Sequence, residues 1–146
     1  MRYLLDVNVL LALMDPAHVM HGAAHAWFEK SGSRSWATCP LTQNGVVRIA
    51  GQPSYPNSPG APSVVADLLE RFTSHARHEL WHDDVSILET RVFNRGALGS
   101  PAQLTDVYLL GLAMRHNGKL ATFDRRIPTG AVRDGAAHLT VIPATS

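Results

Sequence analysis

Tyr3-Leu4-Leu5-Asp6 and Lys119-Leu120-Ala121-Thr122-Phe123-Asp124 decide the fold of this chain. Each is a short, mostly apolar run closed by an aspartate. That is the pattern of a strand buried on both faces with an acid at its carboxyl end. A third acid, Asp106, falls in the first turns of a strongly signalled helix between Ser100 and Gly118. Ser100 is the expected N-cap, Pro101 the first helical residue, Gln103 the partner in a capping box, and Gly118 the C-cap. If the two strands are parallel neighbours, the three carboxylates meet at one sheet edge. In open α/β folds that edge is where ligands bind.

The rest of the chain continues the alternation. Arg2–Asp6 reads as a strand, and Asn8 as the cap of a helix over Val9–Met14 that Asp15-Pro16 stops. His18–Lys30 is an amphipathic helix, with Val19, Ala23, Ala26 and Trp27 at helical spacing. Ser35–Cys39 reads as a strand, and Pro40 opens a helix over Leu41–Ala50. Gln52–Pro62, rich in proline and containing Gly60, is a loop. Ser63–His75 is helical, with Val64, Val65, Leu68, Leu69 and Phe72 on one face. Leu80–Trp81 is a brief strand, Val85–Glu89 has no clear type, and Arg91–Gly99 is a loop. The helix Gln103–His116 and the strands Lys119–Phe123 and His138–Ile142 complete the pattern. It predicts an α/β fold: one domain over residues 1–146, with a central parallel sheet flanked by helices.

Composition narrows the classes. The chain has 146 residues, 45% apolar and 17% charged, which is an ordinary globular mix. Its net charge is +1, so no global basic field announces nucleic acid, and such a partner would need a local patch. Cys39 is the single cysteine, which excludes internal disulfides and Cys-based zinc sites. No stretch approaches the roughly 20 apolar residues of a membrane span. Asp6, Asn8 and Asp15 interrupt any signal-peptide reading at the start, so the expected compartment is the cytoplasm.

Three carboxylates at one point repel one another unless a cation neutralises them. Mg²⁺ and Mn²⁺ take oxygen ligands in octahedral geometry and keep several waters. Asp6, Asp106 and Asp124 could hold such an ion and leave positions for phosphate oxygens and an attacking water. Alone, each acid has a plain structural role: a turn acceptor at Asp6, a helix-dipole partner at Asp106, a cap for the Arg125-Arg126 turn at Asp124. Together they favour a shared site. Thr105 and Thr122, each near an aspartate, could orient a carboxylate or a water. Thr122 and Asp124 alternate along one strand and so share a face.

These motifs resemble those of a known family. Leu4-Leu5-Asp6-Val7-Asn8, then Leu104-Thr105-Asp106-Val107-Tyr108-Leu109, then Leu120-Ala121-Thr122-Phe123-Asp124 occur in the order and spacing of PIN domains. The chain looks in particular like the VapC ribonuclease toxins of bacterial toxin–antitoxin modules. Trp27-Phe28-Glu29, Cys39-Pro40-Leu41-Thr42-Gln43-Asn44-Gly45 with Arg48, and Val85-Ser86-Ile87-Leu88 extend the likeness over nearly the whole chain. The resemblance implies an endoribonuclease dependent on Mg²⁺ or Mn²⁺, with metal ligands at Asp6 and Asp106 supported by Asp124. It also implies a homodimer inhibited by a cognate antitoxin, with no membrane partner. One departure is plain: PIN domains commonly carry a glutamate on the second major helix, where Gln43-Asn44-Gly45 offers no acid. Asn44 can donate an oxygen but no charge, which argues against a four-acid cluster and tight binding of a second metal.

Other residues carry weaker signals. Arg125 and Arg126, directly after Asp124, could meet an RNA backbone at the rim of the site, with Arg91 and Arg95 in a similar role. Asn8, Asn44, Thr105 and Thr122 complete the expected substrate-binding set. His18, His21 and His25 share one helix face, where a polar face outweighs a zinc site. Trp27 and Phe28 read as core or dimer-interface residues. Two other functions compete: a non-catalytic PIN scaffold that binds RNA or antitoxin, and a haloacid-dehalogenase-type phosphatase. The latter needs a second acid two residues after the first, where Asn8 stands.

Overall fold

The structure is a computed structural model and describes residues 1–144. Five short strands form one parallel sheet: β1 (Tyr3–Leu5), β2 (Trp36–Thr38), β3 (His78–Leu80), β4 (Lys119–Thr122) and β5 (Leu139–Val141), in the order β3-β2-β1-β4-β5. Helices α1 (Val7–Met14), α2 (His21–Lys30), α3 (Pro40–Ala50), α4 (Pro62–Thr73) and α5 (Leu104–Arg115) flank it. The expected parallel α/β architecture is therefore present. The two diagnostic strands are neighbours in register, Leu4 opposite Leu120 and Leu5 opposite Ala121.

Alternation along the strands divides the core in two. Leu4, Ala37 and Leu120 face α5, where Val107, Leu110, Leu112 and Ala113 meet them. Leu5, Trp36 and Ala121 face the other helices, packing with Leu10, Ala24, Val46 and Leu69. Helix α1 is buried nearly all round, from Val9 to Leu13, as its almost purely apolar sequence requires.

Several local expectations are corrected. Asp6, not Asn8, caps α1: its backbone is non-helical and its carboxylate accepts the Asn8 N–H, while Asn8 lies exposed inside the first turn. Helix α2 starts at His21, not His18. The Asp15 carboxylate accepts the Ala17 N–H and the His18 ring accepts the Met20 N–H, so local turns replace the first helical turn, and Val19 is 92% exposed. Strand β3 pairs through His78–Leu80; Trp81 lies beyond it, with its N–H on the Thr38 carbonyl. The loop over residues 91–99 is not merely a surface connection. Val92 and Phe93 are core residues, and Phe93 forms an antiparallel bridge with Val132.

The capping box of Ser100 and Gln103 is present, and Pro101–Gln103 forms a 3₁₀ turn leading into α5. At the other end of α5, Asn117 takes the left-handed conformation, at φ 54°. Gly118 serves a different need. A Cβ there would lie 2.5 Å from the Arg2 carbonyl oxygen and 2.6 Å from the Trp81 ring. Helix α3 receives a cap from a distance, since the Asp83 carboxylate accepts the Leu41 N–H at 3.2 Å.

Candidate active site

Because β1 and β4 are parallel neighbours, the residues that follow them emerge at the same sheet edge. Asp6 follows β1 directly and is 5% exposed. Its Oδ2 accepts the Thr122 hydroxyl at 2.7 Å and its Oδ1 accepts the Asn8 N–H at 3.3 Å. The Thr122 oxygen in turn accepts the Asp124 N–H at 3.1 Å. The first turn of α5 brings Asp106 to the same place. Asp6, Asn8, Asn44, Arg48, Thr105 and Asp106 all line one open cavity of about 280 Å³.

The carboxyls feel one another. Burial pushes the Asp106 carboxyl up to about 6, and the charges of Asp6 and Asp124 add to the effect. The Asp6 carboxyl is also raised, by burial first and by Asp124 last, against hydrogen bonds from Thr122, Asn8 and Val7 that favour its ionised form. Asp124 does not line the cavity. Its Oδ1 accepts the Arg126 N–H at 2.8 Å and the Arg126 Nε–H at 3.3 Å, so it joins the group through Thr122 and through its charge. Among the described residues, no three His, Cys, Asp or Glu side chains converge closely enough to enclose an ion. The donor set is nonetheless all oxygen, two carboxylates with amides and a hydroxyl on an open wall. Hard divalent cations are commonly held in this way, by one or two carboxylates while keeping several waters.

The remaining sequence-predicted residues divide. Asn44 and Thr105 line the cavity, whereas Thr122 is fully buried and acts on Asp6. Gln43 turns away, its amide donating to the Thr38 hydroxyl at 3.0 Å. Arg125 and Arg126 are exposed and line no part of this cavity, the Arg126 side chain 85% exposed though paired with Asp124. Arg95 donates to the Leu88 carbonyl, and Arg91 is exposed. The three histidines are structural. His21 Nδ1 and His25 Nε2 reach the Ala12 and Leu13 carbonyls at 2.7 and 3.1 Å, satisfying the open end of α1. Trp27 and Phe28 pack into the core against Tyr3 and Trp36.

A larger cavity of about 540 Å³ lies beneath the proline-rich loop, lined by Leu11, Leu13, Tyr55, Val65 and Phe72. Its one acid, Asp15, is already held by the Tyr55 hydroxyl and the Asn57 amide. The neighbouring carboxyls Asp6 and Asp106 line the 280 Å³ cavity instead. Sequence reasoning passed over Arg48 as a site residue. The available signal was its spacing of four from Asn44, which puts both on one face of α3.

Residues 3–131 match the PIN domain family. The chain is 52% identical to ribonuclease VapC44 of Mycobacterium tuberculosis, over 90% of this chain and 92% of that protein. It is 40% identical to ribonuclease VapC39 of the same organism, over 90% of this chain and 94% of that protein. Among solved structures, the crystal structure of VapBC2 from Rickettsia felis bound to a DNA fragment from their promoter superposes with a TM-score of 0.57. That match covers 98% of this chain and 100% of that one, at 14% identity, a likeness of fold alone. The chain belongs to the PIN domain family and, within it, to the VapC ribonucleases.

Proposed function

We propose that this chain is a metal-dependent endoribonuclease, the toxin of a toxin–antitoxin module, folded as one PIN domain over residues 1–146. The observation that carries the reading is the coupling of Asp6 and Asp106 across one open cavity at the carboxyl edge of the sheet. Membership of the VapC ribonucleases supplies the reaction class: hydrolysis of RNA phosphodiester bonds.

Asp6 and Asp106 would hold Mg²⁺ or Mn²⁺, with Asp124 supporting them by charge. When bound, the cation activates a water and offsets charge on the phosphate. The protein's part is positioning. The Thr122 hydroxyl fixes Asp6 Oδ2, and the Asn8 N–H fixes Oδ1, so the buried carboxylate keeps one orientation. Asn44 and Thr105 offer neutral polar groups on the walls. Arg125 and Arg126 flank the edge where an RNA strand would enter. The chain works in the cytoplasm as a homodimer under a cognate antitoxin. Among the described residues, no helix is long and apolar enough to cross a membrane.

Incubation of purified protein with total RNA in Mg²⁺, in Mn²⁺ and in chelator, with mapping of the cut ends, tests the reading. Discrete cuts that need the metal and vanish in Asp6→Asn and Asp106→Asn are expected. Cleavage that persists in either variant overturns the site, and metal-independent binding without cleavage returns the chain to a scaffold.

A further inference from the structure

The cavity that holds Asp6 and Asp106 has an asymmetric wall. Helix α3 faces it with Leu41, Asn44, Gly45 and Arg48, a stripe at helical spacing that contains a cation and no acid. Arg48 is exposed, and among the described residues it enters no ion pair. A guanidinium and two carboxylates thus line one open cavity without forming an ion pair.

The placement of this wall is built in. A Cβ on Gly45 would come within 2.8 Å of Val7 Cγ2. Only a glycine lets α3 settle this closely against the start of α1, next to Asp6. The Asp83 carboxylate on the Leu41 N–H holds the N-terminal end of the helix. The stripe is therefore fixed by packing on one side and by a cap on the other.

We propose that Arg48 is the phosphate-binding residue of this cleft, taking the non-bridging oxygens of an RNA phosphodiester whose other side faces the Asp6 and Asp106 carboxylates. The inference rests on the endoribonuclease reading and names which wall holds the substrate. A planar guanidinium offers parallel N–H groups that match two phosphate oxygens, and a charge-assisted pair of this kind is stronger than a neutral hydrogen bond. This helix supplies the neutral Asn44 and, one turn on, a cation. The wall therefore attracts a polyanion instead of adding to the repulsion.

The test uses fluorescein-labelled single-stranded RNA and the full-length protein at low salt in chelator, so that binding is read without cleavage. Arg48→Gln should weaken binding by about tenfold or more, the scale of a lost charge-assisted hydrogen bond. It should also lower the slope of log affinity against log salt by about 0.7, the value for one phosphate on a single strand. Arg48→Lys should keep the salt slope yet recover only part of the affinity. Melting of all three proteins in Mn²⁺ should coincide, since Arg48 is exposed and is not a metal ligand. Unchanged affinity and slope in Arg48→Gln, full recovery by lysine, or no RNA binding by the wild type would each overturn the proposal. Asp106→Asn separates the two ideas: loss of cleavage there, with normal RNA binding by Arg48→Gln, removes the role of Arg48 alone. Normal cleavage by Asp106→Asn removes the endoribonuclease site whatever Arg48 does.

Discussion

Asp106→Asn should stabilise the metal-free protein at neutral pH, and the effect should disappear in acid. In the folded chain the Asp106 carboxyl keeps its proton up to about pH 6. In the unfolded chain it loses it near the ordinary value of about 3.9. Between those values the folded state binds more protons, so stability falls as pH rises from about 4 to about 6, then levels off. A displacement of about two pH units corresponds to about 3 kcal/mol at most. Asp106 is only half-buried, and water reaching the carboxyl halves that figure to about 1.5 kcal/mol. For a domain of this size the melting temperature moves by about 2–4 °C per kcal/mol, so the variant should melt about 3–6 °C higher at pH 7 in chelator. The two proteins should converge near pH 4. Added Mn²⁺ should raise the wild type by mass action and the variant far less. Calorimetry or circular dichroism over this pH range, with chelator and with Mn²⁺, measures every term. If the variant melts lower than wild type at pH 7 in chelator and still gains fully from Mn²⁺, Asp106 is a helix residue without a site.

Thr122→Val keeps the shape of the side chain but removes the 2.7 Å donor to Asp6, so the acid limb of the cleavage pH profile should move to higher pH, with Thr122→Ser restoring it. An unmoved profile would show that Asp6 does not depend on this hydroxyl. Replacing Arg125 and Arg126 together by Ala should weaken RNA binding alike for all sequences and flatten its salt dependence. Arg126 is already paired with Asp124, so Arg125→Ala alone should carry most of the change, and equal single-variant slopes would refute that division. Gly118→Ala should destabilise the fold by about 1–3 kcal/mol, because its methyl would press on the Arg2 carbonyl and the Trp81 ring. A melting curve that matches wild type would mean that the β1 edge can yield.

The two diagnostic strands were legible because a strand buried on both faces has few alternatives: Leu4, Leu5, Leu120 and Ala121 are apolar on both sides. Helix α5 was legible from its capping box, which is a local signal. What escaped depends on partners far along the chain. Asp6 serves at once as the cap of α1 and as acceptor of Thr122, and only the first role is visible from its neighbours. Asp83 caps a helix 42 residues away, and no local pattern marks it. Phe93 reads as part of a loop until its bridge to Val132 is seen. His21 and His25 share a face as expected, but their purpose is set by two carbonyls at the end of another helix. Asp6 and Asp124 reach one sheet edge because β1 and β4 are parallel neighbours, and the first turn of α5 brings Asp106 into the cavity beside Asp6. The separation of Asp124 from the cavity followed from its own turn with Arg126, which spacing alone does not reveal.

The hydrogen bond from Thr122 to Asp6 spans 116 residues of sequence. A chain emerging from the ribosome therefore cannot orient Asp6 until translation has passed β4, and until then β1 lacks one of its two neighbours in the sheet. Parallel pairing over such a separation is also slow to form, because the loop-closure entropy is lost before any contact compensates for it. The nascent polypeptide therefore sits beside ribosomal and messenger RNA with Asp6 unoriented until β4 is available to pair.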